Sequence, residues 1–508
     1  MNDTTPSYRP DALPNLELAA LGQPLADAVS LHLAGKLSEA ENLYHHLVQQ
    51  QPQNPEVHHF FGILRYDQKK YEDAEHFVTR AIELDSTQAV YYYTLGKINN
   101  GMRRYWQAIG LLRKALSMPK CPLDVFNELG SAMRKIGKFD DSEKCYREIL
   151  AQFPNDAVAY NNLGNTLRDK GALVAAIECF ETSLKLQPDY GNAKFNLGFT
   201  HLLAGNYQAG WGFYEERLQN SHYTEIINQP DKYWRDQPPP GSTLLVIVEQ
   251  GLGDTLQFLR FLPLARKHYK HIVLMAQAEL VEIINRCKIA DHVIPKNREN
   301  ITTLCFDAYI HLMSLPFVLD SRLDNLPGCE NLIAADESLI QKWRQKTADY
   351  LDLKVGIAWA GNPAFTNDHN RSCPLDLFTP LLLTQKVFFF SLQKGEAAEC
   401  ALQQLDTTIP LINYMKEVTS FSDTAALISS LDLVITVDTV VAHLAGNLGK
   451  PTWILVPYAS DWRWLHARSD SPWYPQTRVY RQTEPNNWVE LIARVTRDLI
   501  QLTKSEKK

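Results

Sequence analysis

Apolar and polar positions in the first half of the chain repeat with a period of 34 residues. The clearest column consists of glycines, with Ala28 in the same register one unit earlier: Gly62, Gly96, Gly130, Gly164 and Gly198. Other columns hold small residues, or aromatic and large apolar residues, in the same register. A fixed period of this length is typical of stacked structural repeats. Each unit therefore predicts two helices joined by a tight turn, with small residues where the helices approach closely.

Six units share this register over residues 20–222, and they resemble the tetratricopeptide repeat. Because one unit cannot bury its apolar face alone, the units are expected to stack into an α-helical superhelix with a concave groove. Asparagines on or near the first helices are candidates for holding an extended peptide, and solvated polar positions are the alternative: Asn99, Asn127, Asn161, Asn162, Asn165 and Asn196. The resemblance implies a protein or peptide partner in the groove.

The pattern changes after the repeats. Residues 1–19 are predicted to be an N-terminal tail, and residues 223–241 a linker, since Pro-Pro-Pro-Gly at 238–241 stops any regular element. Short apolar runs then alternate with helical stretches; the predicted strands are 244–249, 271–276, 292–296, 308–313, 354–360, 386–393, 411–415, 431–437, 451–457 and 477–481. Continuous apolar strands separated by helices are typical of parallel sheets covered on both faces. We predict two Rossmann-like α/β domains, at 242–340 and 350–505, with ligands in the crevice between them.

One candidate site follows the first predicted strand of the second half. Gly251 and Gly253 are expected to make the turn, and Asp254 to begin a helix that faces the crevice. A plain helix cap is the alternative for Asp254, because aspartate is favoured at that position. A dinucleotide-binding turn is excluded, because Leu256 stands where the third glycine of that motif belongs.

A second candidate site opens the helix after residue 437. The free N–H groups and partial positive charge of a helix N-terminus suit a diphosphate. Asp438 and Thr439 begin this helix, and His443 lies about one turn into it. The structural alternatives are a capping role for Asp438 and a buried, hydrogen-bonded role for His443.

A third candidate site is the loop 359–378, which is rich in glycine, asparagine and proline. Arg371 is its permanent cation, suited to neutralise a leaving diphosphate, and Asn362 is a further candidate contact. A solvated surface arginine is the alternative. The end of the next predicted strand offers Gln393 and Lys394 in a similar position.

Composition limits the classes of function. The net charge of −7 and the pI near 6.1 argue against a large basic face for nucleic acid. The chain contains no apolar run of the roughly 18–20 residues that span a bilayer, and no secretory signal pattern is evident at its start. The cysteines are scattered singly, so we expect no metal site and a cytoplasmic location.

Residues 243–500 resemble the GT-B glycosyltransferases, in particular the bacterial heptosyltransferase family (family 9). The resemblance rests on two stretches, GLGDTLQFLRFLPLA and VDTVVAHLAGNLGKPTWIL. It implies that Asp254 is the general base and that Asp438, Thr439 and His443 contact the nucleotide diphosphate. Arg371 stands where the family places a basic phosphate-binding residue.

The chain departs from that family at Val440, where glycine is common, and this puts close approach of the phosphate in doubt. The order of repeats before a transferase also resembles the protein O-linked N-acetylglucosamine transferases. We therefore expect an inverting glycosyltransferase that needs no metal or other cofactor and moves a sugar from a nucleotide sugar to a protein. Gln250, Trp462 and Trp464 are candidate contacts to sugar or acceptor. The alternative is a non-catalytic repeat scaffold with a degenerate transferase domain.

Overall fold

The computed structural model describes residues 22–219, 229–235, 238–297, 304–329, 332–365 and 367–505. Contacts divide the chain into two compact units, one that ends at Pro188 and one that begins at Asp189. The first unit consists of helical hairpins, and the second contains one further hairpin followed by two parallel sheets. Each unit is described by itself below.

The first unit contains five helical hairpins, one for each of the first five repeats. Their helices are α1 (Gln23–Leu33), α2 (Leu37–Gln50), α3 (Pro55–Asp67), α4 (Tyr71–Leu84), α5 (Ala89–Gly101), α6 (Tyr105–Leu116), α7 (Val125–Lys135), α8 (Phe139–Gln152), α9 (Ala157–Lys170) and α10 (Leu173–Leu186). Each helix buries one apolar face against its neighbours, as expected for units that are too small to enclose a core alone.

The glycine column marks where the two helices of a hairpin touch. A Cβ atom on Gly62 would lie 2.5 Å from Val78 Cγ2, and one on Gly130 would lie 2.8 Å from the ring of Tyr146. Real Cβ atoms do not approach other atoms so closely, so a larger residue would push the helices apart. The prediction that small residues allow close helix approach is confirmed.

A second column explains the turn inside each hairpin. Gly35, Gly137 and Gly171 have φ values of 75°, 80° and 91°, in the left-handed region that suits glycine. The other two hairpins place Lys69 and Arg103 at this position, each with φ 61°. The turn geometry is therefore kept even where the side chain disfavours it.

The second unit begins with the sixth hairpin, α11 (Gly191–Leu203) and α12 (Tyr207–Tyr214). Its aromatic side chains pack against the rest of this unit: the ring centroids of Trp211 and Trp462 are 5.4 Å apart, and Trp473 Nε1 donates a hydrogen bond to Tyr207 Oη at 3.0 Å. Trp211 Nε1 also donates to the carbonyl of Ser321. The division of contacts falls at residue 188, because this packing joins the last repeat to the sheets. The predicted N-terminal tail, 1–19, and part of the predicted linker, 223–241, lie outside the described residues.

Two sheets with parallel strands follow, and the ten predicted strands are all present. The first sheet has the order β3-β2-β1-β4 and the second β10-β9-β8-β5-β6-β7. The strands are β1 (Thr243–Ile247), β2 (His271–Ala276), β3 (His292–Pro295), β4 (Ala308–His311), β5 (Leu353–Ala358), β6 (Val387–Ser391), β7 (Leu411–Ile412), β8 (Leu433–Val437), β9 (Thr452–Val456) and β10 (Thr477–Arg481).

Helices connect most of these strands, so the predicted α/β class of the second half is confirmed. They are α13 (Leu252–Phe258), α14 (Leu262–Ala265), α15 (Ala278–Cys287), α16 (Leu315–Val318), α17 (Glu337–Lys346), α18 (Asp368–Arg371), α19 (Thr379–Leu382), α20 (Glu396–Gln404), α21 (Phe421–Ser429), α22 (Val440–Asn447) and α23 (Trp488–Ser505). Apolar side chains of the strands, such as Ile357, Phe389 and Ile435, are completely buried between the second sheet and its helices.

The strand orders locate the ligand edges of the two sheets. In the first sheet, β2 and β4 lie on opposite sides of β1, so the chain reverses its direction of growth between β1 and β4. In the second sheet the same reversal falls between β5 and β8. Doubly wound sheets bind ligands in the crevice outside the carboxyl ends of such strands. The loops that follow β1, β5 and β8 carry the three sequence-predicted candidate sites.

Candidate functional site

Asp254 lies in the first turn of α13, directly after β1. Its Oδ2 accepts a hydrogen bond of 2.8 Å from the backbone N–H of Gly251, which begins the helix. Its Oδ1 lies 2.6 Å from Nη2 of Arg463. One carboxylate oxygen therefore fixes the turn, and the other reaches a residue in a loop of the second sheet.

Arg463 lies in a short 3-10 helix, Trp462–Trp464, that follows β9. Its guanidinium also contacts Oδ1 of Asp461 at 2.7 Å and lies 4.5 Å from the centroid of the Trp462 ring. The Arg463 side chain is only 7 % exposed, so it joins carboxylates from the loops of both sheets in a nearly buried position. Sequence reasoning missed this arginine; its place between two tryptophans was the available signal.

Thr439, rather than Asp438, is the cap of α22. Its hydroxyl accepts a hydrogen bond from the N–H of Val441 at 3.3 Å. Val440 is the first helical residue and is partly exposed, at the position where the resembling family has glycine. The capping alternative considered for Asp438 is corrected, since the neighbouring threonine takes that role.

Several charges surround the Asp438 carboxyl. Burial and the neighbouring Asp461 carboxylate raise the pKa of Asp438 to about 6, although Arg371 and Arg463 oppose this rise. Asp438 of the second candidate site therefore lies close to Arg371 of the third, and to Arg463, which contacts Asp254. Charged groups of both signs therefore lie together in the loops that follow strands of the two sheets.

His443 is buried and serves the packing between α13 and α22. Its Nδ1 is 2.9 Å from Tyr474 Oη, and its ring stacks on Trp464 with centroids 5.5 Å apart. A Cβ atom on Gly253 would lie 2.7 Å from His443 Cδ2, so the glycine allows the two helices to meet. Burial lowers the pKa of His443 well below its usual value, and nearby arginines add to this effect. The structure thus gives His443 the hydrogen-bonded structural role.

Arg371 is held in a defined orientation at the end of α18. Its Nε donates to Asp368 Oδ1 at 3.0 Å, and its guanidinium lies 4.6 Å from the centroid of the Phe365 ring. Ser372 Oγ donates to the other oxygen of Asp368. A Cβ atom on Gly361 would lie 2.6 Å from Arg371 Nε, so this glycine makes room for the guanidinium. Arg371 keeps 22 % of its side chain exposed.

The other predicted contacts around the second sheet hold the protein backbone. Gln393 Oε1 accepts from the N–H groups of Trp359 and Ala360, each at 3.0 Å, and its Nε2 donates to the Ala360 carbonyl at 2.9 Å. Asn362 Oδ1 accepts from a nearby N–H within its own turn, and Lys394 Nζ donates to the carbonyl of residue 418. These side chains shape the loops, and a ligand would have to displace those bonds.

The proposed aromatic contacts to sugar require correction. Trp462 is fully buried among Tyr207, Trp211 and other rings, and Trp464 is 1 % exposed beneath His443. Neither offers a ring face to a sugar, because rings of the sixth hairpin cover Trp462, and His443 and Tyr474 cover Trp464. Gln250, in contrast, is exposed in the loop after β1, with a backbone φ of 61°.

A second polar cluster, which sequence reasoning also missed, lies at the carboxyl end of the first sheet. Arg217, from a 3-10 helix after α12, donates through Nη2 to Glu249 Oε1 at 2.8 Å and to Ser314 Oγ at 2.6 Å. Burial raises the pKa of Glu249, while Arg217 opposes the rise. His311 lies nearby, and burial lowers its pKa to about 3. The Arg217–Glu249 pair ties the sixth hairpin to the sheet.

Most of the candidate asparagines in the first unit are already hydrogen-bonded within the described part of the protein, and the buried Oδ1 of Asn165 is the exception. Asn162 Nδ2 donates to Asn127 Oδ1 at 3.0 Å, which links successive repeats, and Asn161 Nδ2 donates to Asn162 Oδ1 at 3.3 Å. Asn99 is buried and bonds the carbonyl of Leu95. A peptide clamp built from these side chains would have to exchange internal partners.

Two general features concern the described residues only. Among the helices described, none is long and apolar enough to cross a membrane. A grouping of three or more His, Cys, Asp or Glu side chains arranged to hold a metal ion is likewise not found in the described ranges.

Comparison with known families establishes the nature of the repeats. Tetratricopeptide-repeat family models match residues 31–98 and 157–190. The chain therefore contains tetratricopeptide repeats. Such repeats are protein-interaction modules, which makes the N-terminal region a protein-interaction scaffold.

Protein FlbA from Caulobacter vibrioides (strain ATCC 19089 / CIP 103742 / CB 15) is similar to this chain. The two are 25% identical over 320 residues, which covers 58% of this chain and 53% of FlbA. The chain thus matches about half the length of this relative. An alignment of that length exceeds the repeats, so it extends into the α/β part.

Several solved structures are similar to part of this chain. MamA is 24% identical and covers 32% of this chain and 94% of its own, with a TM-score of 0.29. PilW, a type IV pilus biogenesis factor, is 19% identical over 40% of this chain and 94% of its own, with a TM-score of 0.37. YrrB, described as a repeat protein with an unusual peptide-binding site, is 22% identical over 35% and 94%, with a TM-score of 0.29. These low values support no transfer of function.

Proposed function

We propose that the α/β part is a glycosyltransferase that moves a sugar from a nucleotide sugar to a protein bound by the repeats. The observation that carries this proposal is the meeting of Asp254, from the turn after β1, with Arg463 and other charged groups from the second sheet. Both sheets have the strand reversal at which doubly wound sheets bind ligands. Asp254 follows β1 and Asp438 follows β8, at those reversals, and Arg463 follows the neighbouring strand β9. The TPR scaffold supplies a natural acceptor-binding element.

In the proposed reaction, an acceptor hydroxyl attacks the anomeric carbon of the bound donor. The new bond joins the acceptor oxygen to that carbon, and the bond from the carbon to the diphosphate oxygen breaks. The leaving nucleoside diphosphate keeps the electron pair, and the hydroxyl proton passes to the carboxylate of Asp254. Direct displacement inverts the anomeric centre.

Two elements of the second sheet would stabilise the leaving group. Arg371 supplies a permanent positive charge, and the N-terminus of α22 supplies its partial positive charge and the backbone N–H of Val440. No metal ion is needed for this charge balance. Gly251 leaves space beside the Asp254 carboxylate, since a Cβ atom there would lie 3.2 Å from Asp254 Oδ2.

The proposal is tested by ligand-dependent stability of the full chain. Nucleoside diphosphates and nucleotide sugars carrying different bases are added one at a time, and the unfolding temperature is measured. A ligand at 100 times its Kd should stabilise the protein by about 2.7 kcal/mol. A donor that binds is then incubated with cell protein, and sugar transfer is followed by mass spectrometry for wild type and Asp254→Asn. Loss of transfer by ~100-fold or more in the variant is expected for a general base.

A second candidate function is a repeat scaffold whose α/β part does not catalyse. It is favoured by the pairing of both crevice arginines with carboxylates, Arg371 with Asp368 and Arg463 with Asp254 and Asp461. If the whole nucleotide panel leaves the unfolding temperature unchanged, the scaffold explanation replaces the transferase.

A further inference from the structure

Arg463 contacts the Asp254 carboxylate, and an anionic ligand can take the place of that carboxylate. We propose that Arg463 binds the diphosphate of the donor and releases Asp254 when it does so. This inference rests on the proposed transferase function, because it assigns a role in the same crevice. On this proposal, donor binding breaks the contact between Asp254 and Arg463.

The guanidinium of Arg463 is anchored on one side only. Nη1 and the backbone N–H of Arg463 both contact Asp461 Oδ1, at 2.7 Å and 3.0 Å, and the plane of the group lies over Trp462. These contacts belong to the same short segment after β9 and keep the arginine at its place. Nη2, in contrast, makes the contact of 2.6 Å to Asp254, which belongs to the other sheet. The second contact can break without loss of the first set.

Asp254 is suited to be the partner that is released. Its Oδ2 stays bonded to the N–H of Gly251, so the carboxylate keeps its position when the arginine turns away. Its side chain is 19 % exposed, so water can solvate the charge that the arginine leaves. The freed Oδ1 would then face the crevice, where an acceptor hydroxyl needs a proton acceptor.

The charges around Arg463 favour an exchange of its partner from Asp254 to the diphosphate. Asp254, Asp438 and Asp461 lie around Arg463, and Arg371 is held by Asp368. A diphosphate added to this arrangement without rearrangement would meet more negative than positive charge. A guanidinium that turns from the Asp254 carboxylate to the diphosphate places its positive charge directly beside the added anion, and its planar fork matches phosphate oxygens well.

The test is calorimetric titration of the full-length protein with UDP, GDP, ADP and CDP, and with inorganic pyrophosphate. The variants are Asp254→Asn, which removes the competing charge, and Arg463→Gln, which removes the proposed ligand contact. The matched control is Arg468→Gln, because Arg468 forms an exposed ion pair with Asp470 in the same part of the chain, at 2.6 Å. Thermal unfolding of each variant verifies that it is folded.

We expect Asp254→Asn to bind the preferred nucleotide several-fold more tightly than wild type, and Arg463→Gln to bind it ~10-fold or more weakly, the range for one lost charge-assisted hydrogen bond. Arg468→Gln should bind as wild type. Tighter binding by Asp254→Asn supports the exchange only together with weaker binding by Arg463→Gln, because removal of a nearby negative charge by itself also favours an anionic ligand. Pyrophosphate that binds as well as the nucleotide would show that the diphosphate alone supplies the affinity.

The outcomes separate the two proposals. If wild type binds a nucleotide but Asp254→Asn binds it no more tightly and Arg463→Gln equally well, the exchange is refuted and the transferase proposal stands. If wild type binds none of the nucleotides, both are refuted.

Discussion

Replacing Arg217 by methionine should destabilise the second unit strongly. The Arg217 side chain is 3 % exposed and that of Glu249 is completely buried, with Nη2 and Oε1 2.8 Å apart. Methionine fills much of the same volume but leaves the Glu249 carboxylate without its cation. Removing one partner of a buried ion pair typically costs about 3–5 kcal/mol, because the remaining charge is left unpaired. We expect a loss in this range for Arg217→Met at pH 7.5.

Two companion variants separate charge from packing. Glu249→Gln keeps the shape of the side chain, and Arg217 retains its contacts with Glu215 and Ser314, so the loss should be smaller, about 1–2 kcal/mol. In the double variant Arg217→Met/Glu249→Met no charge of this pair remains buried. Its stability should therefore recover much of the loss, because buried ion pairs are often replaceable by apolar residues.

The loss should also depend on pH. Burial already raises the pKa of Glu249, and removal of Arg217 takes away the main effect that lowers it. A carboxyl whose pKa is raised in the folded state stabilises the protein below its unfolded pKa, and this contribution is lost as pH rises through the folded pKa. Arg217→Met should therefore be closer to wild type at pH 5 than at pH 8.

Urea unfolding followed by tryptophan fluorescence measures these effects. Nine of the ten tryptophans lie after residue 188 and only Trp106 lies before it, so the signal reports the second unit. A loss below about 1 kcal/mol for Arg217→Met, or a loss that is the same at pH 5 and pH 8, would refute the reasoning. A double variant no more stable than Arg217→Met would show that packing, rather than the unpaired charge, dominates.

Two further predictions concern the crevice. Gly253→Ala should destabilise the second unit by about 1–3 kcal/mol, because the new Cβ atom would lie 2.7 Å from the buried His443 ring. Gly328→Ala is the control and should change stability little, because no atom lies within 4 Å of its Cβ position. Urea unfolding measures both variants, and equal losses would argue against the helix contact. Asp438→Asn should flatten the pH dependence of stability between pH 4 and 7. The pKa of Asp438 is raised to about 6 in the folded protein, so the stability that this carboxyl contributes at low pH is lost as pH rises through that value. Between pH 4 and pH 7 the free energy of unfolding should fall by about 1–2 kcal/mol more in wild type than in the variant. Parallel pH profiles of the two proteins would exclude Asp438 as the titrating group.

Local patterns were sufficient to predict the architecture. The 34-residue period predicted the hairpins, since a glycine such as Gly62 recurs wherever two helices must touch. Runs of apolar residues predicted the ten strands, because a strand in a parallel sheet is buried on both faces and shows this in its own sequence. The order of strands, with its reversals beside β1 and β5, required the structure.

The candidate site was only partly predictable, because local patterns reveal positions after strands but not contacts between distant segments. Asp254, Arg371 and Asp438 were found because they follow strands, which is a local property. The sequence alone did not reveal that Asp254 contacts Arg463, that Arg217 contacts Glu249, or that Trp462 is buried by the sixth hairpin. Those facts depend on which distant segments pack together, and a charged or aromatic side chain has the same local signature whether its partner is water or a buried residue far along the chain. Sequence therefore determined the elements and their ligand edges, and tertiary packing decided which side chains remain available to a ligand.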